Sequence, residues 1–351
     1  MKRADTTVRP FGSAVLGLVL ALPTGWPSGA AASGGTWNVE LEPVFLEALG
    51  HDQHVLTTHE VDADGSPPTD RANAVSLDSE AALAYRARVL HERGSWGYGL
   101  DFLIFRTDQQ VDPLRASADG PGSAIDQRIF EVAGRRFAST GPGQVLYFQT
   151  LEDTTVELWV LDLYATRVLA ETPGSSLVVV LGVRNADFDN DYRAVAGVEG
   201  VGGVRIDASS NYSRMIGPLV GLSARLERGR HSFGGDLRQS VVLGEIELSR
   251  TLRDFSGSPG AFAGPPEEVP PGLAQDRLVT QQDIAVPMTD VRVLWGFRLT
   301  DHVALGLSLG ATVWWDLAVP PGVQPGPGGD ERLNENTIVT YGLGATLKVK
   351  F

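Results

Sequence analysis

The sequence predicts an all-β protein: a transmembrane, antiparallel, up-and-down β-barrel of about 12 strands, with about 10 or 14 as alternatives. Three observations predict it. Apolar residues recur at every second position rather than at helical spacing. The links between such segments mostly alternate long and short, as at the two rims of an outer-membrane barrel. Aromatic residues gather near the segment ends, where a headgroup layer would lie.

The chain opens on Lys2, Arg3 and Arg9, an apolar run from Phe11 to Leu22, a break at Pro23 to Gly29, and the small residues Ala30-Ala31-Ala32. This is the pattern of a secretory signal peptide over residues 1–32. The run is shorter than the roughly 20 residues a membrane helix needs. Residues 33–351 then read as one barrel domain. Alternating segments fall near 37–47, 76–90, 96–104, 127–138, 144–151, 154–169, 176–188, 212–226, 233–249, 287–300, 303–315 and 339–351. The last is the clearest: Val339, Tyr341, Leu343, Ala345, Leu347, Val349 and Phe351 make one apolar face.

Long links alternate with short ones in that order, except for the short link 152–153. Short links carry turn residues, as in Gly141-Pro142-Gly143 and Thr172-Pro173-Gly174. Long ones are rich in Pro and Gly, as at 264–272 and 320–327, and read as rim loops. Trp37, Trp96, Tyr98, Trp314, Trp315, Tyr341 and Phe351 are the candidate interface aromatics. Tyr341 and the terminal Phe351 resemble the C-terminal signal by which such barrels are passed to the barrel-assembly machinery.

Composition removes several functions. The 351 residues include no Cys, which excludes thiol catalysis, disulfides and Cys-liganded zinc. A formal charge of −14, or about −16 without the signal segment, is wrong for a nucleic-acid partner. His51, His54 and His59 in the first long link could hold a metal, but a solvated loop fits them better. The Asp187, Asp189, Asp191 run and the Asp62, Asp64, Gly65 run lack the bidentate Glu that completes a calcium loop. His91, His231 and His302 stand beside no Ser and carboxylate in a recognisable arrangement. No catalytic, cofactor or metal residue is therefore assigned, and the chain is not expected to be an enzyme.

The charges alternate with the apolar face. A charge turned to hydrocarbon at mid-depth costs roughly 2–4 kcal/mol, so they must face inward. Arg86, Arg88, Asp101, Asp162, Arg184, Arg225, Asp236, Arg238, Arg292 and Arg298 are the predicted lumen lining, with Asp78, Glu80, Glu40, Glu42, Lys348 and Lys350 on the same faces. Such groups either set the ion selectivity of a pore or pair into salt bridges that plug a narrow barrel.

Several strands resemble the pore-forming outer-membrane family of the major-outer-membrane-protein type. The resemblance runs through Leu161-Asp162-Leu163-Tyr164, Gly182-Val183-Arg184-Asn185-Ala186, Ile216 to Leu222, Ser240 to Gly244 and Tyr341-Gly342-Leu343-Gly344. It departs at Asn185, where the family tends to carry an aromatic, and at Met215, where a Gly is usual. It implies a barrel in the bacterial outer membrane that lets small solutes cross. The leading expectation is thus a passive pore for ions or small hydrophilic solutes, in contact with outer-membrane lipid. The alternatives are a closed structural or adhesive barrel whose long acidic loops bind a partner, and a membrane-embedded hydrolase.

Overall fold

The computed structural model describes residues 35–49, 53–62, 69–77, 81–109, 114–117, 125–132, 135–139, 145–149, 154–198, 202–255, 274–318 and 335–351. In chain order the strands are β1 (Thr36–Leu49), β2 (Gln53–Asp62), β3 (Thr69–Leu77), β4 (Ala82–Arg93), β5 (Trp96–Gln109), β6 (Leu114–Ser117), β7 (Ile125–Val132) and β8 (Arg135–Ser139). They continue as β9 (Val145–Gln149), β10 (Thr154–Thr172), β11 (Ser175–Val198), β12 (Gly202–Arg228), β13 (His231–Phe255), β14 (Ala274–Arg298), β15 (Val303–Ala318) and β16 (Glu335–Lys350).

Ten of them close a ring. β10, β5, β4, β1, β16, β15, β14, β13, β12 and β11 pair in that order, and β11 pairs back to β10. Every pairing is antiparallel and the ring follows chain order, so the barrel is up-and-down. Closure leaves no unpaired edge within the ring.

The expected count of 12 is corrected to ten. The segments expected at 127–138 and 144–151 form β7, β8 and β9, which have 8, 5 and 5 residues. A crossing strand needs about 9–11. β7 and β8 join β2 and β3 in a separate four-stranded sheet, while β9 and β6 extend the far end of β11. The exception in the link pattern disappears, because the whole of 110–153 is one connection between neighbouring ring strands. The long links expected at 189–211 and 250–286 turn out to be largely strand, since β11 to β14 run for 24, 27, 25 and 25 residues. The signal segment, His51, Asp64, Gly65, Asp78, Glu80 and the Pro-rich runs 264–272 and 320–327 lie outside the described residues.

The outer surface carries an apolar belt on all ten ring strands, from Phe45 on β1 and Tyr85 on β4 through Leu163, Val183, Val220, Leu237, Val293 and Leu307 to Leu343 on β16. On β13 it runs from Phe233 to Leu243, about 25 Å of height at the usual strand tilt. Beyond Leu243 the same face turns to Glu245 and Glu247. Aromatics with polar handles mark this edge: Trp315 Nε1 donates to Thr289 Oγ1 at 3.1 Å, and Tyr341 Oη donates to Glu47 Oε2 at 2.7 Å. Trp314, expected among them, is instead fully buried in the interior. It is one residue out of phase with Trp315, and a one-residue offset turns a strand side chain to the other face.

Where the belt ends, β12 inserts an extra residue between Ser213 and Ile216. Arg214 takes a left-handed φ of 56° there, and its N–H donates to Asp187 Oδ1 at 3.1 Å. The bulge resets the alternation so that Tyr212 and Met215 both point inward.

A ring of ten is tightly curved, and inward positions are crowded. A Cβ on Gly342 would lie 2.1 Å from the Phe45 carbonyl oxygen. Gly342→Ala is expected to force β16 away from β1 and to lower unfolding free energy by about 1–3 kcal/mol. Urea titration, read by the shift in gel mobility between folded and unfolded barrel, checks this.

Candidate functional site

Most inward side chains fall into two layers, with a smaller apolar cluster of Tyr164, Val180 and Leu219 on the short-turn side of the first. At the half nearer the short turns, β1 contributes Glu40 and Glu42, β4 Arg86 and Arg88, β5 Asp101, β10 Asp162, β11 Arg184, β13 Asp236 and Arg238, and β14 Asp290 and Arg292. Towards the long hairpins the same faces become apolar: Val44 and Leu46, Leu103 and Phe105, Leu158 and Val160, Phe188, Ile246 and Leu248, Val286 and Met288, Trp314 and Ile338.

The charged layer is a connected network. Arg184 forks onto Asp162, with Nε to Oδ1 at 2.7 Å and Nη2 to Oδ2 at 2.8 Å, and its Nη1 reaches Asp290 at 2.5 Å. Arg238 Nη1 donates to the same Asp162 at 2.8 Å and lies 3.1 Å from Asp101. Arg88 donates to Asp101 Oδ2 from Nε at 3.0 Å and Nη2 at 2.8 Å, and to Asp236 Oδ2 from Nη1 at 3.1 Å. Arg86 pairs with Asp101 at 3.5 Å. Arg292 holds Glu40 at 2.5 Å and also Glu42, which accepts from Ser308 as well. Ser223 and Thr312 donate to Asp236 and Asp290, each at 2.6 Å. Lys348 stands directly across from Glu40. Planar guanidinium forks suit such bidentate pairing.

These pairs cross the barrel. β4 and β13 are five strands apart either way round the ring of ten, so Arg88–Asp236 bridges its full diameter. Above it Phe188 of β11 meets Trp314 of β15 with ring centroids 6.1 Å apart. The gap remaining within the charged layer is about 30 Å³, space for roughly two waters. Among the described residues the interior is filled rather than open.

Tyr164 shows how the crowding is managed. It lies between Gly99 and Gly182 on the two neighbouring strands, and a Cβ on Gly99 would lie 2.5 Å from its ring. The aromatic covers the glycine backbones, and the Arg238 guanidinium carbon sits 4.9 Å above its centroid.

Of the ten expected lining residues, Arg86, Arg88, Asp101, Asp162, Arg184, Asp236, Arg238 and Arg292 meet in this network. Arg225 and Arg298 do not. They lie exposed at the short-turn rim and pair with Glu227 at 2.9 and 2.7 Å, where the mouth of the barrel gives them water. Lys350 is exposed at the same rim. Asp290, Ser308, Thr312 and the whole apolar layer were missed. Asp290 shares the face of Arg292 two residues on, so strict alternation would have included it. Asp187, Asp189 and Asp191 face outward above the belt, and no group of three or more metal-ligating side chains is clustered among the described residues. Phe351 is exposed and closes the ring seam through two backbone bonds with Trp37, at 2.9 and 3.2 Å.

No family model and no curated protein matches the chain. Among solved structures it is similar to the outer-membrane protease OmpT of Escherichia coli, at 13% identity and TM-score 0.43, over 90% of this chain and 96% of that one. A major outer membrane protein from Thermus thermophilus gives 13% identity and TM-score 0.29 over 90% and 99%. The toluene transporter TodX of P. putida gives 9% and 0.28 over 93% and 90%. Likenesses this distant leave the barrel resting on the chain's own strand pairing.

Removing one partner of a buried pair strands the other. Arg184→Met would leave Asp162 and Asp290 short of their main cation and is expected to destabilise the barrel by about 3–5 kcal/mol. Arg298→Gln, at the wet rim, should change the same urea midpoint hardly at all.

Proposed function

We propose that this protein is a closed outer-membrane β-barrel, an anchor that presents a β-structured wall to a partner outside the membrane, rather than a passive diffusion pore. The filled interior carries this reading. A diffusion pore needs a continuous aqueous path, and both interior layers are bridged from wall to wall. Passive passage of ions or small solutes would require the Arg88–Asp236 pair and the Phe188–Trp314 contact to part together.

The belt supports the membrane placement. Its height fits a hydrocarbon core, and its two edges carry aromatics and charges. At the level of the belt a closed barrel pairs every strand on both sides, as a lipid-exposed sheet must. By the usual arrangement the short turns face the periplasm and the long hairpins the outside. Kinship with the major-outer-membrane-protein type belongs to this proposal, since the strands carrying the resemblance, β10 to β13 and β16, are ring strands. A catalytic role is not part of it.

The wall is what the long hairpins build. β12 runs for 13 residues between Gly202 and Arg214, about 40 Å of strand. β11, β12, β13 and β14 stay paired there, and β9 and β6 add to the β11 side. β15 pairs with β14 only from Met288 onward. The β14 segment 274–287 therefore has no strand on that side among the described residues, which leaves a backbone edge of the kind that accepts an added strand. Asp187, Asp189, Asp191, Glu245, Glu247 and Asp283 make the outward face near the base of the wall acidic.

Planar-bilayer recording of the refolded barrel is expected to show no discrete conductance steps. Regular steps from correctly folded protein would overturn the closed-barrel reading in favour of a pore. On intact cells, added protease should cut within the wall and leave a protected barrel fragment.

A further inference from the structure

The short-turn rim carries a motif that neither the network nor the wall uses. Trp96 opens β5 and pairs across to Arg93 of β4 on one side and Arg167 of β10 on the other. Directly opposed residues in antiparallel strands point to the same face. Trp96 is 45% exposed on the belt side, so the three side chains form an outward row, cation, indole, cation. The Arg167 guanidinium carbon sits 5.3 Å over the Trp96 ring, which holds the charge against the apolar surface.

The next row, one step into the belt, is aromatic. Phe351, just past the end of β16, is followed by Trp37, His91 and Tyr98 across β1, β4 and β5. Trp37 and His91 pack with ring centroids 4.4 Å apart. Tyr98 and Phe351 are each 62% exposed. The two arginines therefore sit at the end of a hydrocarbon-facing surface, with aromatics marking the boundary.

Among the described residues their charge is uncompensated. No carboxylate pairs with Arg93 or Arg167 among the described residues. Glu92, beside Arg93, turns to the opposite face, where it accepts from Asn38 Nδ2 at 2.6 Å. Glu171 faces that side too, opposite Ser176. Arg225 and Arg298, exposed at the same rim, are by contrast answered by Glu227.

We propose that the Arg93–Trp96–Arg167 row is a binding site for the phosphodiester headgroup of an acidic phospholipid, its acyl chains lying along the aromatic row above. The occupant must offer an anion and an apolar tail together, because the site is two cations at the foot of an apolar wall. Guanidinium donors match phosphate oxygens. The proposal rests on the membrane reading above and adds a lipid class and a position to it.

The test uses the full barrel folded in detergent with equal amounts of phosphatidylglycerol and phosphatidylcholine, with retained lipid counted by native mass spectrometry. Phosphatidylglycerol is expected to be retained in preference by about five-fold for each arginine engaged. Arg93→Gln with Arg167→Gln should bring the ratio to about one while folded gel mobility is unchanged. Arg106→Gln, at the opposite end of β5, should leave the preference intact. Equal retention by the wild type, or an undiminished preference in the double variant, overturns the site. Full displacement by equimolar inorganic phosphate would overturn it as a lipid site and make it one for a free anion. A barrel that folds in detergent yet fails to enter phospholipid vesicles would instead sink the membrane reading, so the two failures are distinguishable.

Discussion

The pair between Arg88 and Asp236 fixes the character of the molecule, because it joins strands on opposite sides of a ten-membered ring. Ten strands enclose only slightly more room than eight, where side chains alone fill the interior. An arginine reaching from one wall and an aspartate from the other span that width. With Arg238 and Arg184 both bonded to Asp162, the cross-section is set by side-chain reach. A wider ring would part the pairs between distant strands, Arg88–Asp236, Arg238–Asp162, Arg184–Asp290 and Arg292–Glu42, and keep only those between neighbours, such as Arg184–Asp162 and Arg88–Asp101.

The layering follows from the same constraint. The charged layer must balance, and it does so by having nearly every carboxylate answered from another strand. Asp101 alone takes Arg86, Arg88 and Arg238. The apolar layer has no such requirement and is filled by volume: Trp314, Tyr212, Phe105 and Leu158 are all under 2% exposed. It seals the network from the wall side. This raises the strength of each ion pair, since the surrounding dielectric is low. Neither layer closes the barrel well without the other. A wholly charged interior would admit water, while a wholly apolar one would lack the directional pairs that fix which strands face each other.

Much of this was legible in the sequence, and the failures have physical causes. Alternation placed Leu163, Leu307 and Leu343 outside and Arg184 and Asp162 inside, because strand side chains alternate strictly. The count of 12 failed because alternation does not measure length in three dimensions: the 127–151 stretch alternates well enough but breaks into pieces too short to cross. The apolar interior layer was written in the sequence as double-sided runs, Phe102-Leu103-Ile104-Phe105 and Leu158-Trp159-Val160-Leu161. A strand facing lipid on one side and water on the other has no reason to be apolar on both. Those runs were the signal for a filled interior, and they pass unnoticed when only the outward face is tallied. Arg225 and Arg298 share the inward-pointing reading but lie near strand ends, and no periodicity says where along the axis a mouth begins. Cross-lumen partners such as Arg88 and Asp236, 148 positions apart, depend on ring size, which is a property of closure.

The two rims differ in charge in a way that the filled interior makes meaningful. If solutes passed through, a potential difference along the axis would act on them. With the interior sealed, the charges act only on what lies against the outside. The short-turn rim sets arginines beside exposed aromatics, while the long-hairpin end sets carboxylates just above the belt. In the membrane setting proposed above, phospholipid phosphates meet cations favourably at the first surface. At the second, anionic groups repel the anionic headgroups beneath them and hold the β11–β14 strands clear of the bilayer surface. A barrel with this polarity, placed as proposed, is seated from one side and lifted on the other, which holds the β14 edge over 274–287, unpaired among the described residues, where an added strand can reach it.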